Sequence, residues 1–177
     1  MLETINYGET LQIGSAMVSF HPAGHVPGSA QIRVEVNGEI WVVSGDYKVV
    51  ADGLSTAFDP VKCHSFITEC TFGLPAFRWK AQTDVFDEIN QWWAKNAALD
   101  VVSILGAYGL GKAQRLLCGL DISIGKVLTH SAVEGTNRVM RQQGIALPET
   151  EQSMPETDRK GQSGALILAP PSALGSA

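Results

Sequence analysis

Gln31-Ile32-Arg33-Val34-Glu35-Val36-Asn37-Gly38-Glu39-Ile40-Trp41-Val42-Val43-Ser44 decides how the first half of the chain is read. Val, Ile and Trp dominate it, as they do strands. Asn37-Gly38 separates two apolar runs, and both central positions of a type I′ turn need the positive φ that Asn and Gly tolerate. The pattern predicts a hairpin of strands over 31–36 and 39–44. Outward from it, residues 17–20 and 65–68 read as further short strands, so the part up to Gly73 is expected to be mainly β.

After Gly73 the rhythm changes to alternating helices and strands. Thr83 is expected to cap a helix over 83–98, with Phe86, Ile89, Trp92 and Trp93 on its apolar face and Asp84 and Asp87 near its positive end. Residues 101–105, 126–129 and 165–169 read as strands, and 111–119 and 132–143 as helices. That alternation predicts a parallel α/β unit. Residues 148–163, rich in Glu, Pro, Gln and Ser, read as a loop.

With 177 residues, 45% hydrophobic and 18% charged, the chain has enough apolar material for a core. It lacks the roughly 18 consecutive apolar residues of a membrane span, and Met1-Leu2-Glu3-Thr4 carries no signal-peptide pattern. A cytoplasmic protein without membrane contact is expected. Cys63, Cys70 and Cys118 include no Cys-x-x-Cys pair and suit a reducing compartment.

The net charge of −5 argues against polyanion binding by the whole surface. Up to Glu69 there are 8 acids and 3 bases, and after it 10 of each. The second part holds Arg78, Lys80, Lys112, Arg115, Arg138 and Arg141, which either meet phosphates locally or form ordinary solvated faces.

Three segments place chemistry just after strands. His25 lies between Gly24 and Gly28, which let the backbone approach a ligand closely, and neutral imidazole is a good zinc ligand. Asp46 follows the strand ending at Ser44, where its two oxygens could bridge two cations. Glu69 ends the next apolar run, where a carboxylate can orient a metal ligand or move a proton. Each has a plainer alternative: a hydrogen-bonding histidine, a turn aspartate, a surface acid. His21, His64 and His130 are given only that plain reading.

Gly106-Ala107-Tyr108-Gly109-Leu110-Gly111-Lys112-Ala113 nearly spells a P-loop, but Ala113 replaces the Ser or Thr that would bind magnesium. An NTPase is therefore rejected. The helix N-terminus at Gly109 to Lys112 is still expected to offer amides to an anion, with Gly111 and Lys112 as candidate nucleic-acid contacts; a glycine turn and a surface lysine are the alternative.

Taken together, four segments resemble the metallo-β-lactamase-fold nucleases of the β-CASP group. The narrower resemblance is to the bacterial ligase-associated DNA exonuclease family, relatives of mRNA 3′-end processing nucleases. They are Phe20-His21-Pro22-Ala23-Gly24-His25-Val26-Pro27-Gly28-Ser29-Ala30-Gln31, Trp41-Val42-Val43-Ser44-Gly45-Asp46-Tyr47-Lys48, Ile67-Thr68-Glu69-Cys70-Thr71-Phe72-Gly73-Leu74-Pro75 and Leu110-Gly111-Lys112-Ala113-Gln114-Arg115-Leu116-Leu117. Leu166-Ile167-Leu168-Ala169-Pro170-Pro171-Ser172-Ala173 extends the likeness towards the end.

The resemblance implies an α/β chain in two domains: a partial, β-rich metallo-β-lactamase fold over 1–72 and a partial β-CASP-like parallel α/β cap over 73–177. It implies His25 as a zinc ligand, Asp46 as a bridge between two zinc ions and Glu69 as the acid opening the β-CASP segment. Asp46 and Glu69 would be the catalytic acids. The substrate would be DNA, with RNA as the alternative, in DNA repair beside a DNA ligase. Family members also carry an upstream His-x-His-x-Asp-His cluster and downstream histidine motifs, which are absent here. The chain is thus expected to be truncated at both ends and inactive alone, since a catalytic zinc normally takes three protein ligands plus water. Pro27 and Gly109 are smaller departures from the family pattern. The rival expectations are a non-catalytic nucleic-acid-binding module and a hydrolase of small esters or thioesters.

Overall fold

The computed structural model describes residues 3–153 and 159–174, and the chain divides into two units, Met1–Arg78 and Trp79–Ala177. The fold class is mixed α/β.

In the first unit β1 (Thr10–Ile13), β2 (Ala16–Pro22), β3 (Ala30–Val36), β4 (Glu39–Val43) and β5 (Ser65–Ile67) form one sheet in sequence order. The first four run antiparallel, and β5 joins β4 in parallel. Asn37 and Gly38 have φ of 50° and 82°, as the expected hairpin requires. β1 was not anticipated: Thr10-Leu11-Gln12-Ile13 holds only one β-branched apolar residue and no aromatic one.

The register sorts the side chains into two faces. Ser19, Gln31 and Val42 are buried on one of them. The segment after β4 covers that face: Gln31 Nε2 donates to the Pro22 and Asp59 carbonyls at 2.9 and 2.8 Å, and the Tyr47 ring packs between Phe58 and Phe66. The opposite face exposes Leu11, Ile13, Ile32, Val36, Trp41, Val43 and Ile67.

In the second unit α1 (Gln82–Ala97), β6 (Ser103–Gly106), α2 (Lys112–Gly119), β7 (Val127–Thr129), α3 (Ser131–Gln142), β8 (Glu151–Gln152) and β9 (Leu166–Ala169) alternate as expected. The four strands are all parallel, in the order β6-β9-β7-β8. Trp93, Leu117, Val127, Val133, Leu166 and Leu168 anchor the core, and the Trp93 indole donates to the Gly164 carbonyl at 3.0 Å.

Three local expectations are corrected. The first helix begins at Gln82 behind Ala81, with no side-chain cap, so Thr83 lies inside it. Arg115 Nε donates to Gln82 Oε1 at 2.6 Å, a tertiary contact that holds residue 82 in the first turn. Trp92 is 40% exposed because one helix stripe cannot hold both neighbouring tryptophans, and Trp93 occupies it. Within 148–163, Glu151–Gln152 pairs with Leu128 and Thr129 as a short edge strand, and Arg159–Gln162 forms a 3-10 turn. Among the described residues no helix is long and apolar enough to cross a membrane.

Candidate metal centre

β2, β4 and β5 run in the same direction, so the residues following them emerge along one edge of the first sheet. His25, Asp46 and Glu69 are those residues.

The loop carrying His25 is closed by Ser29. Its hydroxyl accepts from the amides of His25 and Val26 at 3.1 and 3.2 Å, while its backbone amide donates to Val26 and its carbonyl accepts from Ala23. Gly24 has φ 72°, and a Cβ there would run into the Lys48 carbonyl and approach Phe58 N within 3.0 Å. The Lys48 amide in turn donates to the Ala23 carbonyl at 3.0 Å. The backbones of the His25 and Asp46 loops are thereby clamped together.

Ser44, fully buried, links the other two loops. Its amide donates to the Ile67 carbonyl at 2.9 Å, its hydroxyl donates to the Gly45 carbonyl at 2.7 Å, and Glu69 N donates to that hydroxyl at 3.4 Å.

His25 Nε2 stands 3.8 Å from Asp46 Oδ2, with the two side chains 34% and 72% exposed. That separation is shorter than two zinc–ligand bonds of roughly 2.0–2.1 Å laid end to end, so both groups could reach one ion. Glu69 Oε2 accepts from Thr71 N at 2.7 Å. The Thr71 backbone and then its side chain hold the Glu69 carboxyl below the usual glutamate range, and His25 adds a smaller electrostatic pull. Glu69 is thus kept ionised on the same edge.

Among the described residues no group of three or more His, Cys, Asp or Glu could hold a metal ion. His25 and Asp46 are a partial donor set. They do not fit a zinc ion without further ligands.

The site proposed for phosphate contact looks different from its sequence expectation. The amides of Gly111, Lys112 and Ala113 donate to Gln114 Oε1, the Leu110 carbonyl and the Tyr108 carbonyl at 2.8, 3.0 and 3.1 Å. These amides are spent inside the loop and form no anion cradle. What remains is the exposed Lys112 ammonium, 5.0 Å from the centre of the Tyr108 ring.

No family model matches the chain. It is 33% identical over 168 residues to a protein of Opitutus terrae named probable DNA ligase, a match covering 93% of this chain and 16% of that protein. It is 32% identical over 131 residues to endoribonuclease ysh-1 of Neurospora crassa, covering 71% of this chain and 15% of the relative. Endoribonuclease YSH1 of Candida albicans is 30% identical over 124 residues, 68% of this chain and 14% of that protein. A protein named for DNA ligation and endoribonucleases among the relatives fit a β-CASP nuclease relationship. The chain spans about a sixth of the length of these curated relatives.

Sequence reasoning missed the residues that hold the candidate donors in place. Ser29 and Ser44 were overlooked because their partners are backbone groups of loops without periodicity. Asp52 was overlooked too. Its carboxylate, 3% exposed, accepts from the amides of Leu54 and Ser55 at 3.0 and 2.8 Å and is ion-paired with Lys48. Burial works against its charge, but the Lys48 ammonium and the Ser55 and Leu54 amides prevail and keep the carboxyl below its usual range. Another cluster has the connectivity of a catalytic triad: Ser19 Oγ lies 3.1 Å from His21 Nε2, and His21 Nδ1 lies 3.6 Å from Asp59 Oδ2. Ser19 is only 4% exposed, which leaves an acyl substrate no approach, so the cluster is structural.

Proposed function

We propose that this chain is part of a zinc-dependent nuclease that hydrolyses phosphodiester bonds of DNA in repair, in the manner of the ligase-associated exonucleases. The first unit would be a partial metallo-β-lactamase-like metal domain and the second a partial β-CASP-like cap. The observation that carries the reading is the convergence of His25 and Asp46 at 3.8 Å on the sheet edge that also bears Glu69. DNA is favoured over RNA because the match to the protein named for DNA ligation covers 93% of the chain, against 71% for the Neurospora endoribonuclease.

Bound zinc would supply an activated water and neutralise phosphate charge. His25 and Asp46 would be its donors from this chain, and Glu69, ionised, would orient a neighbour or take a proton. Since two donors fall short of a zinc site, the chain by itself is inactive in this reading.

The test is zinc per chain by elemental analysis, together with hydrolysis of labelled single-stranded DNA. The isolated chain should hold well under one zinc, lose it in His25→Ala and Asp46→Ala, and leave DNA intact. Adding a polypeptide that carries the His-x-His-x-Asp-His cluster should produce cleavage that either substitution reduces at least a hundredfold. Cleavage or full zinc loading indifferent to both substitutions would refute the assignment.

A further inference from the structure

The two faces of the first sheet are the reverse of an ordinary solvated antiparallel sheet, whose apolar side is packed and whose polar side meets water. The covered face carries Ser19, His21, Gln31, Arg33 and Glu35. The centre of the open face is built from cross-strand neighbours that are all apolar: Val18, Val34 and Trp41 in one row, Phe20, Ile32 and Val43 in the next. Ile32, Trp41 and Val43 are exposed, and Val18, Phe20 and Val34 are half-buried. Five strands about 4.8 Å apart, each about five residues of roughly 3.3 Å, give a footprint of roughly 400 Å2 before side-chain relief is counted. Monomers rarely leave so large an apolar patch to water.

The chemistry of the face narrows what covers it. Among its described residues there is no Lys or Arg, so a nucleic acid finds no phosphate contact there. Its one charged residue, Glu39, sits at the hairpin end, where Oε1 accepts from Trp41 Nε1 at 3.0 Å. The indole donor is thus satisfied within the strand, and burying Trp41 orphans nothing. The cover must be flat, apolar and twisted with the same hand. A second copy of this face meets those conditions, since aligned sheets stack about 10 Å apart and a two-fold axis brings like against like. Both footprints together come to roughly 800 Å2, and side-chain relief carries the buried accessible surface past the ~1,000 Å2 that a specific interface requires.

We propose that two copies of this chain pair sheet on sheet through the open face of the first unit, with Ile32, Trp41 and Val43 at the centre of the interface. The pairing is independent of the reading of His25 and Asp46, which lie along an edge of the sheet.

The full chain is followed by sedimentation equilibrium from micromolar concentration to a hundredfold above it. Wild type should pass reversibly from monomer to dimer and stop there. Ile32→Lys and Val43→Lys should each weaken dimerisation about a hundredfold, because the dimer would bury an unpaired charge. Both positions are exposed in the single chain, so the circular dichroism of the monomer should not change. Val50→Lys, in the exposed loop after β4, should leave the equilibrium alone. A measurement on wild type needs no variant to fold: hydroxyl-radical labelling of Trp41 should fall at least threefold as dimer forms, while that of Trp79, 72% exposed outside the sheet, should not.

A chain that stays monomeric throughout overturns the proposal, whatever then shields the face. So does a dimer in which Trp41 labels as readily as in the monomer, or one that both face variants leave intact. Assembly that grows past two copies overturns it as well, since that marks unspecific apolar clustering.

Discussion

Gly24 and Gly28 flank the candidate ligand His25, and both have positive φ, yet they do different things. Around Gly28 a Cβ would meet nothing within 4 Å, whereas at Gly24 it would overlap the Lys48 carbonyl. Gly28→Ala should therefore cost only the left-handed backbone penalty of about 1 kcal/mol, while Gly24→Ala must also push the two donor loops apart. We expect Gly24→Ala to lower the melting temperature of the first unit by at least twice as much as Gly28→Ala, followed by circular dichroism. Equal shifts would mean that the close approach at Gly24 carries no energy. At this scale His25, Asp46 and Glu69 were legible because each follows an apolar run that had to be a strand. Asp52, Ser29 and Ser44 were not, because Asp, Ser and Gly in a loop look the same whether they hold a site or merely turn the chain.

Elements were legible where a period was long enough to read. Helices α1, α2 and α3, the Asn37-Gly38 hairpin and three of the four strands of the second sheet follow from apolar spacing and turn chemistry. What escaped depends on contacts distant in sequence: the start of α1 is set by Arg115, and β8 is held by β7 and α3. Glu134 on α3 is central to the latter. It accepts from the hydroxyls of Thr129 and Thr150 at 2.7 and 2.5 Å and from Arg141 Nη1 at 3.0 Å, joining α3 to β7 and to the residue preceding β8. Burial opposes its charge, but the two threonine hydroxyls and the Arg141 guanidinium outweigh it and hold the carboxyl below the ordinary glutamate range. A carboxylate with a depressed folded pKa stabilises above its unfolded value and loses that contribution as pH falls through the folded one. Glu134→Gln should accordingly cost about 2 kcal/mol at pH 7. The gap to wild type should close once the pH falls well below the glutamate reference of about 4.3, as read by urea denaturation at each pH. A pH-independent gap would place the effect in packing.

For the molecule as a whole, the sequence conveyed the β-rich first part and the α/β second part, but not the packing of the first sheet. Alternation shows which residues share a face without showing what lies against it, and the face bearing Trp41 and Ile67 is open to solvent. Charge is also distributed at this scale. With 8 acids against 3 bases up to Glu69, any affinity for DNA must come chiefly from the later part, where Lys112 is exposed. Binding of single-stranded DNA, followed by fluorescence anisotropy, should weaken with salt. Lys112→Ala should flatten the log–log salt slope by about 1, as loss of one phosphate contact does. An unchanged slope would remove Lys112 from the interface.

The strand order of the second sheet bears on how the protein is made. β9, the last strand among the described residues, lies between β6 and β7, which therefore have no partner in common until it arrives. During synthesis, β6 and β7 are expected to be left with an unfilled slot between them and their facing edges uncovered. Emergence of Leu166-Ile167-Leu168-Ala169 then closes the sheet in one late, long-range step. Nascent chains stalled before Leu166 should be recognised by chaperones and cut readily by proteases, and those stalled well beyond Ala169 should resist both.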